Sequence, residues 1–200
     1  MISISENNWK AATKAFDDQL SLNQFELRDN KNYPSHWYEI LDVINLTKAT
    51  SVLDIGCGTG SVYKLIKAYN GNIFYKGIDI APYAIDLARK NYDQASFIVY
   101  NFRNLSISIT DRFDLLYAGA LLDILPDGDD CLKFLLNLQP KWLLIGRMEL
   151  SENTSHYTEY RAYDKIETYK HYHSRLTVEK IANELNYDFY KHGNSVLFKR

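Results

Sequence analysis

The segment VLDIGCGTG, residues 52–60, restricts what this chain can fold into more than any other. Val52, Leu53 and Ile55 read as a buried strand. The three glycines that follow within five residues cannot prolong it, because glycine loses the most backbone freedom in regular structure. The strand must therefore end in a tight turn that lets a ligand approach the backbone closely. Beyond the turn, Val62, Leu65, Ile66 and Tyr69 recur at i, i+3, i+4 and i+7, the apolar stripe of a helix that Gly71 closes.

The same alternation continues downstream. NIFYKGIDI is a second strand, PYAIDLARKNY a helix with Pro82 near its first turn, and SFIVYNF a third strand. RFDLLYAGA and KWLLIGRME read as strands four and five, with the helix DGDDCLKFLLNL between them. Strands and helices in alternation predict an α/β domain, a parallel sheet covered by helices on both faces. The end of the chain departs from this pattern. Thr177 is a candidate cap for a helix carrying Val178, Ile181, Ala182 and Leu185, and YDFYKHG and SVLFKR then follow with only a Gly-Asn turn between them. Strands joined so tightly must be antiparallel.

Ahead of the core, Trp9, Ala12 and Phe16, then Trp37, Ile40, Leu41 and Ile44, form two helical stripes separated by the polar RDNKNYP. Residues 1–50 thus read as a helical extension, which either covers the sheet edge or closes over the ligand site as a lid, and residues 51–200 as the ligand-binding domain. With 46% hydrophobic residues in 200, one well-buried domain is expected. The 23 basic residues against 25 acidic ones form no dense cluster, which disfavours nucleic acid as a partner. No basic-then-apolar leader and no membrane-length apolar run is present, and Cys57 and Cys131 form no CxxC pair, so a cytoplasmic protein is expected.

The glycine loop fits neither common nucleotide motif. A dinucleotide fingerprint, G-x-G-x-x-G, needs a glycine at 61, where Ser61 stands, and a phosphate-cradling P-loop needs a Gly-Lys pair that the chain lacks. Asp54, two residues before the first glycine, would oppose a pyrophosphate and favour a cationic ligand.

VLDIGCGTG, followed by GIDIAPYAIDLARK, FDLLYAGALLDILPD and a closing antiparallel strand pair, resembles the class I S-adenosylmethionine-dependent methyltransferases over residues 51–200. The resemblance implies a Rossmann-like, seven-stranded, mostly parallel sheet with its last strand antiparallel, and S-adenosylmethionine as cofactor. It implies that Gly56, Cys57, Gly58 and Gly60 let the backbone pass along the amino acid and ribose portions. Asp54 would favour the ammonium directly or through water, Asp79 would accept both ribose hydroxyls, and Ile80 would pack on the adenine. Asn101 and Phe102 would stand near the adenine amino group, and Ala118, Gly119 and Leu121 beside the methionine part. Asn101 equally suits a turn, Asp79 a helix cap, and Cys57 simple small-residue packing.

On the acceptor side, Asp123 is a candidate base or anchor and equally a helix-cap acid. The absence of Asn-Pro-Pro-Tyr after strand four counts against methylation of DNA bases or glutamine. Residues 151–175 hold Tyr157, Tyr160, Tyr163, Tyr169, Tyr172, His156, His171 and His173, read either as a cover over the acceptor or as a solvated helix with a tyrosine packing face. In the first reading Tyr160 and His171 join Asp123 as catalytic candidates, and Arg147, Tyr157, Arg161 and His173 as substrate contacts. In HYH, the spacing i, i+2 brings two histidines together only on a strand and no third ligand is apparent, so no metal is expected. These residues predict a small-molecule methyltransferase, with oxygen ahead of nitrogen or carbon as acceptor, acting as monomer or homodimer without nucleic acid or membrane. A nicotinamide-dependent oxidoreductase, disfavoured by Ser61, and an inactive cofactor-binding regulator are the alternatives.

Overall fold

The computed structural model describes residues 4–26 and 35–200. Among them no helix is long and apolar enough to cross a membrane. The polar RDNKNYP segment lies outside the described residues.

Strands β1 (Ser51–Ile55), β2 (Phe74–Asp79), β3 (Ser96–Val99), β4 (Leu115–Ala118) and β5 (Trp142–Ile145) run parallel, linked through α4 (Ser61–Tyr69), α5 (Pro82–Asn91), the short α6 (Ile107–Thr110) and α7 (Gly128–Asn137). After β6 (Leu150–Ser151), β7 (His156–Ala162), β8 (Ile166–Ser174) and α8 (Arg175–Glu184), the hairpin of β9 (Asp188–His192) and β10 (Ser195–Lys199) completes a seven-stranded sheet in the order β3-β2-β1-β4-β5-β10-β9. β10 is antiparallel to β9, as the tight Gly193–Asn194 turn requires, and antiparallel also to β5, with Val196 opposite Ile145. The first helix residue of α8 is Arg175, with Ser174 as its cap, so Thr177 lies inside the first turn rather than before it. The chain leaves β8 directly into this helix, which removes the loop that a capping Thr177 would need.

Side-chain alternation sorts the core into two layers. Leu53, Ile55, Leu116 and Leu143 face α7 and α8, packing with Leu132, Leu135 and Val178. Val52, Tyr75, Leu115 and Leu144 face the other way, against Ile40, Ile44, Leu65 and Ile85.

The N-terminal stripes divide between the two roles open to them. α3 (Ser35–Thr47) covers the sheet, and its Glu39 accepts hydrogen bonds from Asn194 N (2.8 Å) and the Ser195 hydroxyl in the terminal hairpin. α1 (Ile4–Ala11) and α2 (Lys14–Glu26) instead cross the carboxyl ends of the strands. Ser5 Oγ donates to Ile124 O (2.9 Å), and Trp9 Nε1 to Thr168 Oγ1 (3.1 Å). Asn23 Nδ2 donates to Ser61 Oγ (2.8 Å), so the residue that breaks the dinucleotide fingerprint anchors α2 instead.

Candidate active site

The glycine turn is built by hydrogen bonds to β2. Gly56 N and Cys57 N both donate to Ile78 O (2.8 and 3.0 Å), and Gly58 N donates to Asp79 Oδ2 (2.9 Å). Gly56 and Gly58 have φ of +76° and +52°, the left-handed region where a side chain is strained. A Cβ on Gly58 would also lie 2.7 Å from Gln19 Oε1. Asp79 accepts from Ala81 N as well (2.9 Å), so its carboxylate is held at both oxygens; burial pushes its pKa up despite these donors.

The turn borders a cavity of about 310 Å³. Gly56, Gly58, Asp79 and Ile80 form one end, with Tyr100 and Phe102 beside them. Ala120, Leu121, Ile124 and Leu125 follow β4. Arg147, Tyr160, Arg161, Ala162 and Tyr163 form the far wall, and Glu6, Trp9, Phe16 and Gln19 from α1 and α2 close over it. These last four are not legible in the sequence as site residues: their helices show only a packing stripe, and which surface a stripe covers is a long-range matter.

Several predicted contacts stand behind this wall rather than in it. Asp54 shares the face of Val52, so it points under the turn, where its Oδ2 accepts from Tyr75 OH (2.5 Å). Burial pushes its pKa up to about 7, with Tyr75 opposing and Asp79 adding to the rise. Cys57 is buried, its Sγ 2.8 Å from where a Cβ on Gly77 would lie, and its thiol is likewise pushed up by burial. Gly60 packs on Phe97 at the head of α4, and Asn101 takes its turn-forming role, accepting from Arg103 N (2.9 Å). Ala118 and Gly119 end β4 short of the cavity, where Ala120 and Leu121 stand instead.

A raised folded-state pKa gives Asp54 a definite pH signature. Its stabilising contribution is complete below the unfolded value near 4 and is lost as pH rises through about 7. Asp54→Asn is therefore expected to match the parent only at about pH 4 and below, to pull ahead as pH rises from 4 to 7, and to exceed it at pH 8 by up to about 4 kcal/mol for a shift of about three units. Denaturant melts of both proteins across this range check it, and parallel stability–pH curves would contradict it.

Within residues 151–175 the segment 156–174 forms a hairpin, not a helix, and alternation splits the predicted acceptor residues between its faces. Tyr160 pairs with Thr168 and Tyr157 with His171, so Tyr160 is on the cavity side while Tyr157, His171 and His173 are on the reverse. Tyr157 is 51% exposed, whereas His171 and His173 are buried against the start of α7. Arg161 has the parity of Tyr157 rather than Tyr160, yet at the turn end of the hairpin it still borders the cavity, and it pairs with Glu167 (3.1 Å). Asp123, also buried, sits just behind the wall and binds Arg147 Nη2 at 2.8 Å. Burial pushes its carboxyl up to about 6 while Arg147 pulls it down, and its Oδ1 has no hydrogen-bond partner among the described residues. Arg147 itself has φ of +55°, a strained backbone in the cavity wall.

Residues 46–193 match a family model described as a methyltransferase domain. Malonyl-[acyl-carrier protein] O-methyltransferase of Brevibacillus brevis is 30% identical over 59 residues, 30% of this chain and 21% of that protein. Trans-aconitate 2-methyltransferase of Paracidovorax citrulli is 30% identical over 94 residues, 47% of this chain and 35% of that protein, so the chain spans well under half of either relative. In three dimensions, an S-adenosylmethionine-dependent methyltransferase from Clostridium acetobutylicum superimposes with a TM-score of 0.65 at 12% identity, over 92% of this chain and 98% of that one. The sheet order, the glycine turn against Asp79 and the match across residues 46–193 agree, and the chain belongs to the methyltransferase domain family, in the class I Rossmann-like superfamily.

Proposed function

We propose that this chain transfers a methyl group from S-adenosylmethionine to an oxygen of a small acidic acceptor. One observation carries the reading: a single cavity joins the glycine turn and Asp79 at one end to Arg147 and Tyr160 at the other. The first end suits the cofactor. Asp79 offers a braced carboxylate to ribose hydroxyls, Ile80 and Phe102 offer apolar surface to an adenine, and the Cβ-free backbone of Gly56 and Gly58 admits the amino acid portion. When bound, S-adenosylmethionine supplies a methyl group on a cationic sulfonium.

The chain's own contribution is positioning and exclusion of water. Arg147 would hold an acceptor carboxylate, and Asp123 would orient the guanidinium from behind. Tyr160, whose hydroxyl is raised by burial and lowered by Arg147, would donate to the same acceptor. A carboxylate acceptor has no proton to lose, so a general base is not required, which suits the placement of Asp123 and His171 outside the wall. Both curated relatives are named for acidic or acyl-carrier acceptors, which supports this class. The cover of Trp9 and Phe16 supports reading α1 and α2 as the lid.

Calorimetry is expected to show S-adenosylhomocysteine binding with no heat from NAD, and incubation with S-adenosylmethionine and a panel of di- and tricarboxylic acids to yield a methyl ester. Binding of NAD alone would replace this reading with the oxidoreductase one. Cofactor binding without turnover on any acid would leave the regulator.

A further inference from the structure

The reverse face of the β7–β8 hairpin carries a cluster that methyl transfer does not use. His171 and His173, two apart on β8, point to the same side and meet Asp129 in the first turn of α7. His173 is 0% exposed and His171 5%. His173 Nδ1 lies 2.5 Å from Asp129 Oδ1, and His171 Nε2 lies 3.4 Å from the same oxygen. The two rings are 4.5 Å apart, and one donor atom from each of the three residues falls within 4.8 Å of the others.

Two further observations point to a ligand. His171 Nδ1 and Nε2 and His173 Nε2 are buried without a hydrogen-bond partner among the described residues, and a buried polar atom left unpaired is costly. Gly128 opens α7 beside them, and a Cβ there would lie 3.0 Å from His171 Cδ2 and 3.0 Å from His173 Cε1. The helix start therefore leaves space that both rings occupy.

We infer that Asp129, His171 and His173 form a binding site for a divalent transition-metal ion, with zinc the best-matched occupant. Two imidazoles and one carboxylate, all borderline or hard donors, make a three-ligand set that zinc takes with a fourth position left for water. A cation bound by one nitrogen of each ring and by the Asp129 carboxylate gives His171 a partner that the described residues do not supply. The ion would tie β8 to α7 and so brace, from behind, the hairpin whose other face bears Tyr160. The site is separate from the cavity, and the inference does not depend on the methyltransferase reading.

The test uses tag-free, chelator-stripped full-length protein titrated with Zn²⁺ and with Co²⁺ alone. One equivalent is expected to bind, Co²⁺ with the intense visible bands of a low-coordinate site, and the melting temperature is expected to rise with Zn²⁺ concentration. His171→Gln and His173→Gln should each weaken binding by more than about a hundredfold, the upper range for loss of an outer partner, and His156→Ala on the exposed end of β7 should leave it intact. Because the buried variants can fail to fold, imidazole ¹⁵N shifts of the parent on Zn²⁺ addition identify the ligands independently. Absence of stoichiometric binding, binding that survives both glutamine variants, or unmoved His171 and His173 resonances would overturn the inference.

Discussion

Replacing Asp79 by alanine is expected to raise the dissociation constant of S-adenosylhomocysteine by about 10²-fold or more. Charge-assisted hydrogen bonds contribute roughly 1.5–3 kcal/mol each, and a carboxylate that accepts two ribose hydroxyls forfeits both. Asp79 is suited to the task because Gly58 N and Ala81 N, each at 2.9 Å, already fix its two oxygens before any ligand arrives, so little ordering remains to be done on binding. The same bonds make the variant a double lesion, since Gly58 N in the turn loses its acceptor. Asp79→Asn separates the two effects: it keeps an acceptor for one backbone donor while removing the charge, and should fall between alanine and the parent. Calorimetry gives the constants, and circular dichroism with a thermal melt shows that the fold is kept. An unchanged constant in the alanine variant would remove Asp79 from the cofactor site.

The second large effect is expected at Arg147. Arg147→Met should lower kcat/KM for the acidic acceptor by roughly 10²–10³-fold, the range for truncating one partner of a desolvated charge pair, while the dissociation constant of S-adenosylhomocysteine changes little. The stability of the variant should also fall by about 1–3 kcal/mol. Asp123 is buried and would be left without its cation, and the loss is smaller than for a fully buried pair because the Arg147 side chain is half-exposed. Without Arg147 the Asp123 carboxyl is expected to rise further above its pKa of about 6, so the variant recovers stability on acidification. Adding Asp123→Asn to Arg147→Met should restore stability without restoring turnover. That pattern in a double-mutant cycle assigns positioning to Asp123 and acceptor binding to Arg147. If Asp123→Asn alone abolishes turnover while KM is unchanged, Asp123 acts as the base instead and the acceptor carries a proton.

The class of fold and the glycine turn beside Asp79 are legible in the sequence because each depends on residues near one another along the chain. Val52 to Gly60 encode a strand and a left-handed turn in nine residues, and Asp79 ends the next strand, which pairs with the first in register from Ser51–Phe74 to Ile55–Ile78. Asp54 was legible as a motif residue but not in its orientation. Its parity with Val52 sends it beneath the turn to Tyr75, a contact across two strands that spacing along one strand does not reveal. Asn101 takes the turn role that its residue type leaves open for a local reason, because its Oδ1 accepts from the Arg103 N–H at the start of a 3₁₀ turn.

Contiguous residues dictate the parallel sheet, the antiparallel closing hairpin and the left-handed turn at Gly56 and Gly58, since periodicity, turn chemistry and the absence of side chains are local properties. Which surface each amphipathic element covers is set instead by long-range packing. Trp9, Ala12 and Phe16 keep the spacing of one helical stripe, yet the helix breaks at Ala12–Thr13 into α1 and α2, and Trp9 and Phe16 border the cavity while α3 packs on the sheet. The tyrosine- and histidine-rich segment could be read as one acceptor wall until pairing of β7 with β8 put Tyr160 on one face and His171 with His173 on the other. Asp129 meets His171 and His173 across 42 and 44 residues of chain. Burial and pairing at that separation arise from packing of whole elements, whose free energy is shared among many side chains and written in no single stretch of sequence.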